Sequence, residues 1–306
     1  MHIRLLGTAA GGGFPQWNCN CRQCQGVRLG TLPAHARTQS SLALSTDGQH
    51  WFLLNASPDI RQQIEAFPPL TPPLSSMRGS RIAGIFLTDA DLDHTLGLLI
   101  LREGWPLTVY ATSAVQQALT EGLLVLPALR HYCEVDWREP DTELTSLYYP
   151  DGTPAGLRYA ACIVSGHAPR YMSETVVEQS GARVGYRFVD ERTGGCLLYF
   201  PGLASLEESV RKLLPDCDAL LLDGTFWSEE ELQATHPAAR GASAMGHWPV
   251  GGATGSLRQI ASLPSKRRIY VHINNTTPML IEDSPEYRAV HEAGVEIGQD
   301  GLEFTL

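Results

Sequence analysis

The sequence predicts an α/β fold built as a four-layer αββα sandwich. Short β-type runs outnumber helical segments along the 306 residues, and hairpin-like pairs of runs alternate with single strand–helix steps. A sheet with an apolar face must bury it against another layer, so two mixed sheets packed face to face with helices outside satisfy this pattern. Hydrophobic residues make up 43% of the chain, which is enough for a large core.

The predicted elements are short and follow one another without a linker. Strand patterns cover residues 2–6, 51–55, 82–87, 108–111, 157–164, 184–189, 196–200, 219–223, 268–272 and 303–306. Apolar residues three or four apart predict helices over residues 60–67, 113–123, 206–214, 255–262 and 285–293. The proline-rich segment 67–80 and the polar segment 139–156 are predicted to be surface loops. No repeat is present, so we expect a single domain over residues 1–306.

Charge and composition narrow the class of partner. The net charge is −10 without a basic block, which disfavours binding to nucleic acid or to an anionic membrane surface. No apolar run reaches the roughly 18 residues that a membrane helix needs. An export signal is also not visible, so we expect a cytoplasmic protein with a small-molecule or peptide partner.

Three of the seven cysteines lie close together at Cys19, Cys21 and Cys24. This spacing lets three thiolates face one centre, as tetrahedral Zn²⁺ requires, whereas clustered free thiols would oxidise readily. We therefore expect a structural zinc site in a cysteine-rich loop over residues 19–24. The residues alone leave its fourth ligand open, and the candidates are His272, Asn275, His35 or water.

A second cluster follows the predicted strand 82–87, where Asp89, Asp91, Asp93 and His94 share one loop. Carboxylates crowded at the end of a buried strand repel one another unless protons or a cation neutralise them. The loop therefore predicts a second metal site.

The segment 88–94 (TDADLDH) resembles the signature T-H-x-H-x-D-H of the metallo-β-lactamase superfamily, with Asp89 and Asp91 at the positions of the leading histidines. The resemblance implies the metallo-β-lactamase type of αββα fold. It also implies one mononuclear site in which Asp93 and His94 join His272. Two histidines and a carboxylate suit Fe²⁺ with open positions, and Zn²⁺ also fits.

The same resemblance extends to further residues. The superfamily's first metal site lacks its histidines here, and its bridging aspartate is replaced by Gly202. His167 lies where the third-motif histidine stands, so it is implied to be a residual ligand or a substrate contact. Asp223 and His247 resemble the acid–histidine pair of the tRNA-processing and phosphodiesterase branches. Such a pair can move protons, since the carboxylate fixes the imidazole tautomer and raises its basicity.

Several longer segments resemble the pyrroloquinoline quinone (PQQ) biosynthesis protein B family over essentially the whole chain. They are LGTAAGGGFPQWNCNC at 6–21, NASPDIRQQ at 55–63, DGTFW at 223–227, MGH at 245–247 and HINNT at 272–276. The family implies an iron-dependent, O₂-consuming hydroxylase that acts on the tyrosine-derived ring of a cross-linked Glu–Tyr intermediate. Comparison with phosphodiesterases that share the three cysteines places Asn275 at the position of their fourth zinc ligand, a histidine.

This family resemblance also suggests roles for individual side chains. Asp93, His94 and His272 would hold Fe²⁺, while Asp223 and His247 would help to deprotonate the phenol. Asp89 would be an extra ligand or a hydrogen-bond acceptor.

Two other functions remain open at this point. A metal-dependent, phosphodiesterase-like hydrolase is one, because the superfamily commonly uses paired metals. A non-catalytic carrier of PQQ is the other. The expected small-molecule partner is thus the cross-linked intermediate or PQQ, and a homodimer is expected only because dimers are common.

Overall fold

The computed structural model describes residues 1–172, 179–263 and 265–306. Within these ranges fourteen strands form two seven-stranded mixed sheets. The strands are β1 (His2–Gly7), β2 (Ser41–Ser45), β3 (Trp51–Leu54), β4 (Ile82–Phe86), β5 (Leu107–Tyr110), β6 (Val135–Arg138), β7 (Thr145–Tyr148), β8 (Pro154–Val164), β9 (Arg183–Asp190), β10 (Cys196–Phe200), β11 (Ala219–Asp223), β12 (Arg267–Val271), β13 (Glu296–Ile297) and β14 (Glu303–Thr305).

Nine α-helices are present in the same described ranges, and most are short. They are α1 (Arg22–Leu29), α2 (Ile60–Glu65), α3 (Leu92–Thr95), α4 (Gly97–Ile100), α5 (Ser113–Gln117), α6 (Val125–Leu129), α7 (Glu208–Arg211), α8 (Ser256–Ile260) and α9 (Pro285–Glu292). None of the helices in the described part of the chain has the length and apolar character needed to cross a bilayer.

Each sheet combines an antiparallel half with a parallel half. The first has the order β14-β1-β2-β3-β4-β5-β6, and its strands from β3 to β6 are parallel. The second has the order β13-β12-β11-β10-β9-β8-β7, and its strands from β10 to β13 are parallel. Parallel strands end at the same edge of a sheet, which is where ligands bind in open α/β sheets. The loops after β4, β10, β11 and β12 are therefore the ones that can build a site.

The main core lies between the two sheets. Leu44, Phe52 and Phe86 of the first sheet belong to the same buried cluster as Tyr186 and Leu221 of the second. Phe86 stacks on Tyr110 with ring centroids 4.3 Å apart and meets the edge of Tyr186 at 5.2 Å. Large aromatic side chains bury much apolar area, so this layer holds the sheets together.

The outer faces of both sheets are covered by helices. Apolar residues of α2, α4, α5 and α6 form a second buried cluster with the outer face of the first sheet. Residues of α1, α7, α8 and α9 form a third cluster with the outer face of the second sheet. The layer order is therefore helix, sheet, sheet, helix, and the predicted four-layer αββα sandwich is confirmed.

The prediction that residues 139–156 form a surface loop is wrong in part. This segment contains β7 and the first residues of β8, which pair with each other as an antiparallel hairpin. Only Leu147 of the four residues in β7 is fully buried. A strand with one inward apolar side chain carries almost no alternation in its sequence, and tertiary pairing decides its conformation.

Candidate metal centre

Two loops from opposite sheets bring three ligand-type side chains together. Asp93 and His94 lie on α3 just after β4, while His272 follows β12 directly. Their donor atoms all lie within 4.8 Å of one another. The Oδ2 atom of Asp93 is 3.1 Å from Nε2 of His272 and 3.9 Å from Nε2 of His94. The sequence-predicted trio is thus assembled at the carboxyl edge of both sheets.

The donor set fits a divalent cation. The Nε2 atom of His94 is buried and has no hydrogen-bond partner among the described residues, which is unusual for a polar atom inside a protein. Two imidazole nitrogens and a carboxylate oxygen are ligands that Zn²⁺ and Fe²⁺ both accept. A metal ion at this point would satisfy the otherwise orphaned nitrogen.

Asp89 lies behind His94 and orients it. The Nδ1 atom of His94 is 2.7 Å and 2.9 Å from the two carboxylate oxygens of Asp89. Asp89 also accepts hydrogen bonds from the Thr88 hydroxyl at 2.9 Å and the Asp91 amide at 3.0 Å. A carboxylate at Nδ1 fixes the proton there and leaves Nε2 free for a metal. Asp89 therefore acts as a hydrogen-bond acceptor for His94, Thr88 and Asp91.

The electrostatics of this cluster favour bound positive charge. Burial alone would lower the pKa of His94, but the carboxylates of Asp89 and Asp93 outweigh it and raise the pKa to about 9. Burial likewise opposes ionisation of Asp93, yet the neighbouring His94 and His272 hold its pKa well below the usual range. A metal ion at the free imidazole nitrogen would replace a proton that the site otherwise holds.

A second group shares His272 and contains Asp223 and His247. Asp223 ends β11 and is fully buried. Its Oδ2 atom accepts from the Leu203 amide at 3.0 Å and lies 2.7 Å from Nδ1 of His247. Its Oδ1 atom accepts from the amide and hydroxyl of Thr225 at 2.9 Å and 2.6 Å. Both oxygens are satisfied without a cation, so the carboxylate is placed to orient His247.

The charge of this buried carboxylate is compensated by its neighbours. Burial opposes ionisation of Asp223, but His247 and His272 outweigh this effect and lower its pKa from the ordinary value. The imidazole rings of these two histidines stack with centroids 5.4 Å apart. The predicted acid–histidine pair therefore lies directly beside the metal-ligand trio.

Thr225 connects the two histidines. Its hydroxyl oxygen lies 2.8 Å from Nδ1 of His272 and 3.1 Å from Nδ1 of His247. Because Nδ1 of His272 contacts Thr225, the Nε2 atom of His272 faces Asp93. The backbone of His272 has φ +56°, a left-handed conformation that a non-glycine residue adopts only at an energetic cost. Such strain concentrates at functional sites.

The cysteine cluster is also assembled. The sulfur atoms of Cys19, Cys21 and Cys24 lie within 4.8 Å of one another. The side-chain amide of Asn275 caps them, with its nitrogen 3.3, 3.7 and 3.3 Å from the three sulfurs in that order. Burial raises the pKa of the Cys24 thiol to about 12, and a dication would reverse that balance by stabilising thiolates.

The structure separates the candidates for the fourth ligand of this cluster. His272 belongs to the other centre, and His35 is 68% exposed beside Glu282. Asn275 alone among the three named side chains contacts the sulfurs. Amide oxygen and nitrogen are assigned from their surroundings, so rotation of the amide would present its oxygen to an ion.

Two further residues, His167 and Arg183, each have a buried polar side-chain atom. His167 is not part of either histidine-containing group among the described residues, although its Nδ1 atom is buried without a partner. The sequence analysis did not single out Arg183, the buried first residue of β9. Its Nη2 atom lies 3.5 Å from Oδ2 of Asp91. The available signal was a charged residue directly before the predicted strand 184–189.

Comparison with known proteins identifies the family of the chain. A family model described as a beta-lactamase superfamily domain matches residues 50–273. The coenzyme PQQ synthesis protein B of Pseudomonas putida strain F1 is 44% identical over 307 residues, and the match covers 100% of both chains. The protein of that name from Stutzerimonas stutzeri is 44% identical over 306 residues with the same complete coverage.

Solved structures give a consistent result. The Zn²⁺-bound PqqB of Methylobacterium extorquens has a TM-score of 0.89 at 36% identity, and the match covers 100% of both chains. A diphosphatase of the PhnP family is similar in fold, with a TM-score of 0.66 at 20% identity over 100% of this chain and 97% of that one. Fold and full-length sequence identity agree, and the chain therefore belongs to the coenzyme PQQ synthesis protein B family of the metallo-β-lactamase superfamily.

Proposed function

We propose that this chain is a metal-dependent hydroxylase in PQQ synthesis that acts on a phenolic small molecule, the cross-linked Glu–Tyr intermediate. The observation that carries the proposal is the convergence of Asp93, His94 and His272 around a buried imidazole nitrogen that has no partner among the residues described by the structure. The role in PQQ synthesis is supported by relatives of that name which match the chain over its full length.

Asp93, His94 and His272 would hold Fe²⁺ as a 2-His-1-carboxylate set, which leaves coordination positions open. When bound, iron supplies O₂ activation, in which one oxygen atom enters the ring, the other leaves as water, and an external reductant provides two electrons. Zn²⁺ fits the same ligands, and the Methylobacterium extorquens relative was crystallised with zinc. A second, structural Zn²⁺ would bind Cys19, Cys21 and Cys24, with the Asn275 oxygen as a candidate fourth ligand.

The protein groups beside the ligands suit proton transfer from a phenol. Asp223 fixes the proton of His247 on Nδ1 through the contact of 2.7 Å, so Nε2 is the nitrogen available to accept a proton. The side chain of His247 keeps 13% exposure, which allows contact with a bound molecule. A deprotonated phenol is more electron-rich at the ring position next to its oxygen, so His247 would act as the general base.

The alternative of a two-metal hydrolase has less support. Both oxygens of Asp89 are engaged by His94, and Asp91 lies beside the guanidinium of Arg183. Gly202 offers no carboxylate between two ions. A paired-metal mechanism needs ligands for both ions, and the second set is not free.

The test starts from protein that is reconstituted with metal under anaerobic conditions and is then exposed to O₂. Metal-stripped protein is loaded with Fe²⁺ or Zn²⁺ and mixed with the cross-linked intermediate, O₂ and a chemical reductant. We expect a product with one additional oxygen atom only from the Fe²⁺ form, and none from the Asp93→Ala variant. The matched control Asp136→Asn changes a carboxylate that pairs with Arg138 on the surface, and it should retain turnover.

Other outcomes would favour the alternatives. Turnover of a phosphodiester by the Zn²⁺ form that disappears in Asp93→Ala would support a hydrolase. Stoichiometric PQQ binding that survives the double substitution His94→Ala/His272→Ala, without any oxygenated product from the Fe²⁺ form, would support a carrier.

A further inference from the structure

Arg183 is a buried cation that the proposed chemistry does not use. It opens β9 and retains only 7% exposure. The amide of the next residue, Val184, donates to the carbonyl of Thr88 at 2.8 Å. This contact between the sheets places Arg183 next to the start of the acidic loop that carries the metal ligands.

The guanidinium is only partly satisfied by its neighbours. Nη1 donates to the Gly246 carbonyl at 2.8 Å, and Nη2 lies 3.5 Å from Oδ2 of Asp91. Nε is buried and has no hydrogen-bond partner in the part of the chain that the structure describes. A buried arginine needs negative charge nearby, and the carboxylates of Asp89 and Asp91 supply it.

Glycines in three loops make room for this side chain. A Cβ atom on Gly202, after β10, would lie 3.2 Å from Cζ of Arg183. One on Gly246 would lie 2.5 Å from Nη1, and one on Gly166 would lie 2.6 Å from the Cβ atom of Arg183. These loops surround the guanidinium, so no larger side chain fits at the three positions without movement.

The same space is bordered by groups that could bind a cation. Asp91 is 46% exposed and contacts the guanidinium, while the buried carboxylate of Asp89 has its pKa lowered by His94 and Arg183 against the effect of burial. His167 follows Gly166, and its Nδ1 atom is buried without a partner within residues 1–172, 179–263 and 265–306. Carboxylates and imidazoles are ligand types that divalent ions accept, so a fixed positive charge beside these carboxylates competes with any ion there.

We propose that the guanidinium of Arg183 is a built-in cation that takes the place of a second metal ion beside Asp89 and Asp91, and so restricts the centre to one ion. A guanidinium is always charged and cannot be displaced by a change of protonation. Coulomb repulsion between it and a divalent ion at van der Waals distance is large in a buried environment. Arg183 is thus a positioning residue that sets metal stoichiometry.

This inference rests on the proposed metal centre, but its test counts ions rather than product. Metal-stripped protein is titrated with Co²⁺, separated from free ion and analysed by mass spectrometry for metal content. The expected content of the wild type is two ions per chain, one at the cysteines and one at Asp93, His94 and His272. Arg183→Met should bind one additional ion, whereas Arg183→Lys keeps the charge and should match the wild type.

The additional ion should be lost again in the double variant Arg183→Met/Asp91→Asn. An unchanged ion count in folded Arg183→Met would overturn the proposal. If that variant does not fold, the wild type still decides the question. A third Co²⁺ bound by the wild type at excess metal, and lost in Asp91→Asn, would contradict the inference, and saturation at two ions would support it. Absence of product from the iron-loaded protein would contradict the proposed function without changing these counts.

Discussion

At the scale of single residues, Asp89 matters because it determines which nitrogen of His94 is free. Its carboxylate engages Nδ1 of His94 through both oxygens. We expect Asp89→Asn to weaken metal affinity at the centre by roughly 10- to 100-fold, since outer carboxylates that orient ligating histidines have effects of this size. Competition between the protein and a chelator for Co²⁺ measures the change.

The control for this prediction is Asp136→Asn, which removes a surface carboxylate far from the acidic loop in sequence. Its Co²⁺ affinity should equal that of the wild type. An Asp89→Asn variant that competes with the chelator as well as the control does would show that His94 needs no orienting partner.

Asp218 provides a prediction about pH and stability away from the centre. The ammonium of Lys266 at 2.8 Å and the amide of Cys196 at 2.9 Å lower the pKa of Asp218 and outweigh the effect of burial. A lowered folded-state pKa gives stability that is present above the unfolded pKa and is lost as the pH falls through the folded one. Asp218→Asn should therefore reduce the free energy of unfolding by about 1 kcal/mol at neutral pH.

Urea unfolding at several pH values measures this effect. The difference between wild type and Asp218→Asn should narrow as the pH falls below the ordinary carboxyl pKa of 3.8. A difference that stays constant down to the acid limit of the folded state would mean that the carboxylate charge does not contribute.

At the scale of elements, the loop after β11 controls the residue after β12 through one hydroxyl group. The hydroxyl oxygen of Thr225 contacts Nδ1 of His272, and the hydroxyl donates to Oδ1 of Asp223. Thr225→Val keeps the shape but removes these contacts together with those to His247 Nδ1 and the His272 carbonyl, so the ring of His272 is less fixed. We expect Co²⁺ affinity to fall by about 10-fold, the lower range for loss of an outer hydrogen bond to a ligating histidine.

The matched control is Thr225→Ser, which retains the hydroxyl and should retain Co²⁺ affinity within the error of the chelator competition. Equal losses in Thr225→Val and Thr225→Ser would show that the methyl group, and thus packing, is responsible. No loss in either variant would show that the strained backbone of His272 is sufficient to orient the ring.

The elements also show what the sequence can and cannot predict. The apolar runs before Asp89 and at Tyr270 identify two strands, and the position of a loop at a strand end explains why the side chains of Asp93 and His272 lie close together. β2 (Ser41–Ser45) was missed although Leu42 and Leu44 alternate with smaller residues, because the run is only five residues long and contains no β-branched or aromatic side chain. Arg183 was missed because its partners come from loops distant in sequence, which local patterns do not connect.

At the scale of the whole molecule, each sheet supplies part of the centre. Asp93 and His94 follow the first sheet, while Asp223 and His272 follow the second. The buried aromatic layer around Phe86 fixes the distance between the sheets, and interiors of this density deform little. Neither half of the chain contains the complete ligand set, so a metal ion that bridges Asp93 and His272 should bind only the folded protein.

This bridging arrangement predicts that metal at the centre stabilises the entire fold. An ion that binds only the folded state at one hundred times its dissociation constant adds about 2.7 kcal/mol to the free energy of unfolding. Thermal unfolding of metal-stripped and Zn²⁺-loaded protein measures the gain.

The cysteine cluster contributes its own part in every variant, so Asp93→Ala should show a smaller rise in melting temperature than the wild type. The surface variant Asp136→Asn should show the full rise. An equal rise in Asp93→Ala and the wild type would mean that the cysteine cluster provides all of the metal-dependent stability and that the ion does not join the two sheets.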